Sequence, residues 1–196
     1  MGRRGAGWRG HRTGVKQAEL VSGGYSRPHD PAAGAANDGK ACRRDGRRSG
    51  GQPSGIAFSD FRGYEDWALV SSARTDEVLK LIVANPAMIK AYKAGIPGNG
   101  KPFPDGSKVA KLQWKPKKST EAPFVVDVPD VFKQAFVMEK NSKRFPKSGG
   151  WGYAVFNYDA ASDTFTADPD SRSDCGHSCH VKVERKNYIF HPYQKR

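Results

Sequence analysis

The chain has 196 residues, with 33 Lys/Arg against 20 Asp/Glu, a formal charge of +13, 37 % apolar residues and a mean hydropathy of −0.72. This length allows one ordinary domain, or one domain and a tail. No run of about eighteen apolar residues is present, which excludes a membrane-spanning helix, and three cysteines are too few for a disulfide-stapled miniprotein. A charge of this size points first to nucleic acid or an anionic surface, so its distribution along the chain matters.

Composition changes near residue 55. Residues 1–55 hold 13 of the 22 glycines and 11 Lys/Arg against 4 Asp/Glu, a net of +7; their only Val, Leu or Ile residues are Val15, Leu20 and Val21. Such a segment buries too little apolar surface to offset the entropy of ordering its backbone, and it is expected to be a disordered basic tail. Its only aromatics are Trp8 and Tyr25, too few for a stacking platform on nucleic acid. Its longest candidate for a secretory signal, residues 31–36, is too short and too weakly apolar. The tail reads as a floppy extension, or as the product of a mis-assigned start. Residues 56–196 carry 22 basic and 16 acidic residues and are long enough for one core.

Within this domain, residues 67–71 and 78–83 read as strands. Asn85 and Pro86 open a helix as N-cap and first helical residue. Ala87, Ile89, Ala91 and Tyr92 supply its apolar face, and Gly95 ends it. Residues 96–106 are a loop dense in Gly and Pro. Residues 109–114 alternate, with Ala110, Leu112 and Trp114 on one face and Val109, Lys111 and Gln113 on the other. Residues 135–138 and 151–158 are strand-like, and 164–166 can return on the latter as a hairpin. A short helix is expected after Cys179, followed by an extended 188–190. Five or six strands without regular strand–helix alternation give an α+β fold, mainly an antiparallel sheet with a few short helices. No internal repeat is present.

The strongest local signal is Asp174-Cys175-Gly176-His177-Ser178-Cys179-His180. Two nearby cysteines followed directly by histidine resemble a c-type haem attachment site. The two thiols would anchor the porphyrin and His180 would ligate the iron. The usual pattern has two residues between the cysteines; here there are three. Three other readings of the same residues stand beside it: a zinc site, a Cys175–Cys179 disulfide, and two inert thiols. His177 reads as a bystander, and Cys42 has no assigned role.

The wider sequence adds to this. Residues 67–70, 74–77 and 85–87, the Gly/Pro loop 95–106, the run Lys111-Leu-Gln-Trp-Lys-Pro-Lys-Lys118, Met138-Glu-Lys140, Phe145-Pro, Gly149-Gly-Trp-Gly-Tyr153 and the terminal Cys175…Cys179-His180 occur in an order that resembles the cytochrome P-460 family over roughly residues 58–195. The resemblance implies a small periplasmic protein, mainly β, with covalently bound haem c. One branch of that family oxidises hydroxylamine, often with nitric oxide as co-substrate, and carries a lysine–haem cross-link. A sister branch, cytochrome c-prime-beta, lacks the cross-link and binds nitric oxide without turnover. Both function classes are open at this point.

For site residues the resemblance implies Cys175 and Cys179 as haem attachments and His180 as the axial ligand, which leaves the sixth iron position for a small ligand. Met138 and His191 are the other conceivable ligands. Lys111 best matches the cross-linking lysine, although alternation sets it opposite Ala110, Leu112 and Trp114 and hence toward solvent; Lys108 is the fallback. Glu139 is the candidate proton carrier, and Arg74 the candidate donor to bound ligand. Phe136, Trp151, Tyr153 and Phe156 read as core and pocket wall. The expected partners are a redox protein and a small nitrogen-containing ligand, with a homodimer among the assemblies the resemblance allows and nucleic acid disfavoured.

Overall fold

A computed structural model describes residues 54–121 and 123–194. The tail expected over residues 1–55, with Cys42, lies outside the described residues except for Ser54 and Gly55.

Six strands, β1 (Ala68–Arg74), β2 (Leu79–Ala84), β3 (Lys108–Ser119), β4 (Val126–Lys140), β5 (Trp151–Asp159) and β6 (Thr164–Ala167), form one sheet in the order β1-β2-β3-β4-β5-β6. Every neighbouring pair is antiparallel. The helices are short: α1 (Pro86–Lys93), α2 (Ser173–His180), and 3-10 turns at Phe58–Phe61, Tyr64–Asp66, Pro146–Ser148 and Val181–Lys186. No helix among the described residues is long and apolar enough to cross a membrane. This is the α+β, mainly antiparallel architecture expected from the sequence.

Local chemistry explains the boundaries. Asn85 caps α1 by accepting a hydrogen bond from Met88 N–H at 3.1 Å, with Pro86 at the first helical position. Gly95 follows with φ +90°. β3 continues through Pro116, which lacks the N–H needed in a sheet interior. It is tolerated because β2 stops at the Leu79–Trp114 pair, so residues 115–119 pair only with β4.

The sheet is covered on both faces. Val109, Met138, Trp151 and Tyr153 face one layer, packed with Met88, Ile89 and Tyr92 of α1, Phe103, Tyr188 and Ile189. Ala110, Leu112, Ala135, Val137 and Phe156 face the other, packed with Ile56 and Phe61 of the N-terminal turns. The expectation that Lys111 points to solvent fails for this reason: being opposite an apolar set places a residue in a second layer rather than in water. Residues 188–190, expected to be extended strand, form no strand; Asn187 and Tyr188 both have positive φ, 52° and 66°.

The two layers demand close packing at glycine. A Cβ on Gly152 of β5 would lie 2.3 Å from the Phe145 ring. Gly152→Ala is expected to destabilise the fold by about 1–3 kcal/mol through overpacking, read as a lower urea midpoint with an unchanged m-value.

Candidate functional site

The motif itself lies on α2, and the short helix expected after Cys179 follows it as the 3-10 turn Val181–Lys186. Helical geometry also reduces the meaning of its unusual spacing. Residues three or four apart share a helix face, so Cys175 and Cys179 stand on one side of α2, a turn apart, as they would with two intervening residues. α2 is pressed against β5. A Cβ on Gly176 would sit 2.3 Å from Tyr153 Cβ, so only glycine permits the contact. The approach is pinned by hydroxyls where β6 has ended: Ser173 Oγ accepts from Tyr153 N–H at 3.2 Å and donates to Ser54 O at 3.1 Å, and Ser171 Oγ accepts from Val155 N–H at 2.7 Å.

His180 ends α2. Its Nδ1 lies 2.6 Å from the Tyr188 carbonyl oxygen. A carbonyl only accepts, so Nδ1 carries the proton and Nε2 keeps its lone pair. The Tyr153 ring lies against the imidazole at 4.9 Å between centroids, and Phe190 meets it edge-on at 4.8 Å. Burial lowers the pKa of His180; the bond to Tyr188 opposes this, and the charges of Lys111 and His177 add to it. A neutral, orientationally fixed imidazole with a free Nε2 is what an iron ligand requires.

Cys179 keeps a free thiol, so the two motif cysteines are not joined to each other. Among the described residues no group of three or more His, Cys, Asp or Glu side chains is gathered to hold an ion, so the zinc reading finds no ligand set there. The donor chemistry present, two cysteines on one helix face and a neutral histidine beside them, fits haem.

Lys111 stands on the motif's side of the sheet. It pairs across the sheet with Ile82 and Phe136, and its Nζ lies 3.9 Å from the Phe136 ring centroid. Burial pushes its pKa down to about 8, the Lys80 charge lowers it further, and Cys179 acts in the opposite direction. Its charge also bears on His180 and on His191. The fallback Lys108 faces the other layer, where its ammonium donates to the Asp60 carbonyl and lies over the Phe61 ring.

Two expected distal residues are not brought to the motif. Glu139 pairs with Lys108 and Gly152 on the opposite face of the sheet and holds Arg144 at 2.9 Å. The reason is register: β4 runs through Lys140, so Glu139 is one step out of phase with Phe136 and Met138. Arg74 ends β1 and is bound to Asp127 at 2.9 Å and Asp76 at 3.6 Å. Phe156 belongs to the opposite core, whereas Trp151, Tyr153 and Met138 are buried on the motif's side. Sequence reasoning missed Gly176, Phe190 and the Tyr188 carbonyl. Gly176 was visible inside the motif, but a backbone oxygen eight residues away leaves no mark in composition or periodicity.

A single antiparallel sheet carrying a cysteine-bearing helix that ends in a neutral, anchored histidine defines a small β-type haem protein. The chain belongs to the cytochrome P-460 family, whose family model matches residues 61–191, and it is a c-type haem protein with covalently bound haem. No curated protein matches it.

The Lys111 shift has a measurable consequence. In the folded chain the amine loses its proton above about pH 8, whereas the unfolded chain holds it to the ordinary 10.5. Between these values the unfolded state binds more protons, so stability rises with pH across that window. With protein prepared without haem, urea midpoints from pH 7 to 10.5 are expected to show this rise in the wild type and to lose it in Lys111→Met.

Proposed function

We propose that Cys175 and Cys179 hold the haem, that His180 is its axial ligand, and that the protein oxidises hydroxylamine, nitric oxide or both at the opposite position. The observation that carries this reading is the His180 imidazole, protonated at Nδ1 by its bond to Tyr188 and leaving Nε2 for iron. When bound, the haem supplies a redox-active iron with one open coordination position for a small nitrogen-containing ligand.

The chain's own residues supply three things. α2 presents both cysteines on one face, with Gly176 allowing the helix to seat on Tyr153. Phe136, Met138 and Tyr153 form an apolar wall on that side of the sheet, which excludes water. Lys111 would be the chain's partner in the lysine–haem bond: it lies beside Cys179 and His180, and burial pushes the pKa of its amine down to about 8. Electrons leave to an external redox protein. Thioether haem is attached outside the bacterial cytoplasm, so the protein is assigned to the periplasm.

One observation favours a second reading. Glu139 and Arg74 are both engaged away from the motif, so neither supplies the proton transfer that oxidising N–H bonds needs. Without such a group the same pocket suits non-catalytic nitric oxide binding, as in the cytochrome c-prime-beta branch.

Reduced and denatured protein is expected to show the spectrum of thioether-linked haem; a spectrum without it ends both readings. The native spectrum is expected to be strongly red-shifted from ordinary c-type haem and to lose that shift in Lys111→Ala. Hydroxylamine-dependent reduction of an added electron acceptor then separates turnover from binding: nitric oxide binding without acceptor reduction selects the second reading.

A further inference from the structure

We infer that Asn187 is a positioning residue for the axial histidine, because its side chain locks the turn that aims the Tyr188 carbonyl at His180. This rests on the reading of His180 as the iron ligand.

The turn is unusual. After the 3-10 turn Val181–Lys186 the chain reverses, with Asn187 N–H donating to Glu184 O at 2.7 Å and Tyr188 N–H to Val183 O at 3.1 Å. Asn187 (φ 52°, ψ 44°) and Tyr188 (φ 66°) follow one another in the left-handed region. Asparagine tolerates it; a bulky tyrosine adopts it only where its surroundings impose it. The product of this backbone is the 2.6 Å bond from His180 Nδ1 to Tyr188 O.

Neighbouring side chains impose it. Asn187 Oδ1 accepts two hydrogen bonds, from Phe103 N–H and Trp151 Nε1–H, each at 3.3 Å. Phe103 and Trp151 are almost fully buried and pack edge to face at 6.0 Å. One side-chain oxygen therefore ties the turn to the Gly/Pro loop and to the start of β5. Tyr188 is held in turn by its hydroxyl bond to Glu184 at 3.0 Å and by Gly149, where a Cβ would collide with its ring at 2.4 Å. Removing the Asn187 amide leaves two buried donors without an acceptor and frees the strained turn, so the carbonyl drifts from His180. A weaker Nδ1–H···O bond makes the imidazole a poorer donor to iron and frees its rotation.

The test uses the haem-loaded protein and two readouts that a merely structural role would not move: the Fe–His stretching frequency of the ferrous state by resonance Raman, and the reduction potential. Asn187→Gly keeps the left-handed backbone and loses the amide; it is expected to lower the Fe–His frequency and raise the potential. The expected rise favours the reduced form by up to tenfold, about 59 mV for a one-electron couple. Asn187→Asp, which keeps an oxygen for both donors, is expected to restore both values. A Gly variant that melts earlier but has unchanged frequency and potential would show that Asn187 only caps the turn, and the inference would fall. Should the Gly variant not fold, hydrogen exchange in the wild type decides: a slowly exchanging Trp151 indole N–H supports the anchor, and a freely exchanging one overturns it. His180→Gly separates the two levels. Loss of the Fe–His band upholds the ligand reading whatever Asn187 does, and an unchanged band removes that reading itself.

Discussion

The bond from His180 Nδ1 to the Tyr188 carbonyl joins the end of α2 to the turn that follows it, and the chemistry of the site depends on it. Imidazole has two nitrogens and one proton in its neutral form. By holding the proton at Nδ1 the carbonyl determines which nitrogen faces outward as a ligand, and it limits rotation of the ring. Burial then keeps the ring neutral. None of this needs a second ionisable partner.

That bond exists only because several close approaches are met together. α2 reaches β5 through Gly176, and the Tyr188 ring passes Gly149. The left-handed turn stays closed because Asn187 is bonded to the two most buried aromatic neighbours on that side. Strand register puts Lys111 on the motif's side, where its amine lies against Phe136, while Phe61, Phe156 and Ile56 fill the far layer.

Lys111 and Glu139 show how far sequence reasoning reaches. Lys111 was assigned by its match to a family position and Glu139 by its place after the strand 135–138, and alternation alone would have sent Lys111 to solvent. The structure separates the two: Lys111 lies on the motif's side and Glu139 on the other. Strand alternation reports which residues share a face; it does not report which face a distant helix will cover. α2 lies some sixty residues beyond β3, and its choice of face depends on packing at Tyr153. Arg74 was lost similarly, since its ion pairs with Asp127 and Asp76 join segments whose pairing is set by the β1–β2 turn and the β3–β4 ribbon.

The amino-acid sequence by itself determined the haem motif, the α+β class, the α1 cap and most strand positions, because these rest on local rules: residue spacing, side-chain period, and the conformational limits of Pro, Asn and Gly. It also localised half of the +13 charge in the glycine-rich first 55 residues. Tertiary structure alone decided which face of the sheet received α2, which lysine lies beside the cysteines, and which backbone oxygen orients His180. Those depend on contacts between residues far apart in the chain, where steric fit at a few glycines and the satisfaction of buried donors outweigh any local preference.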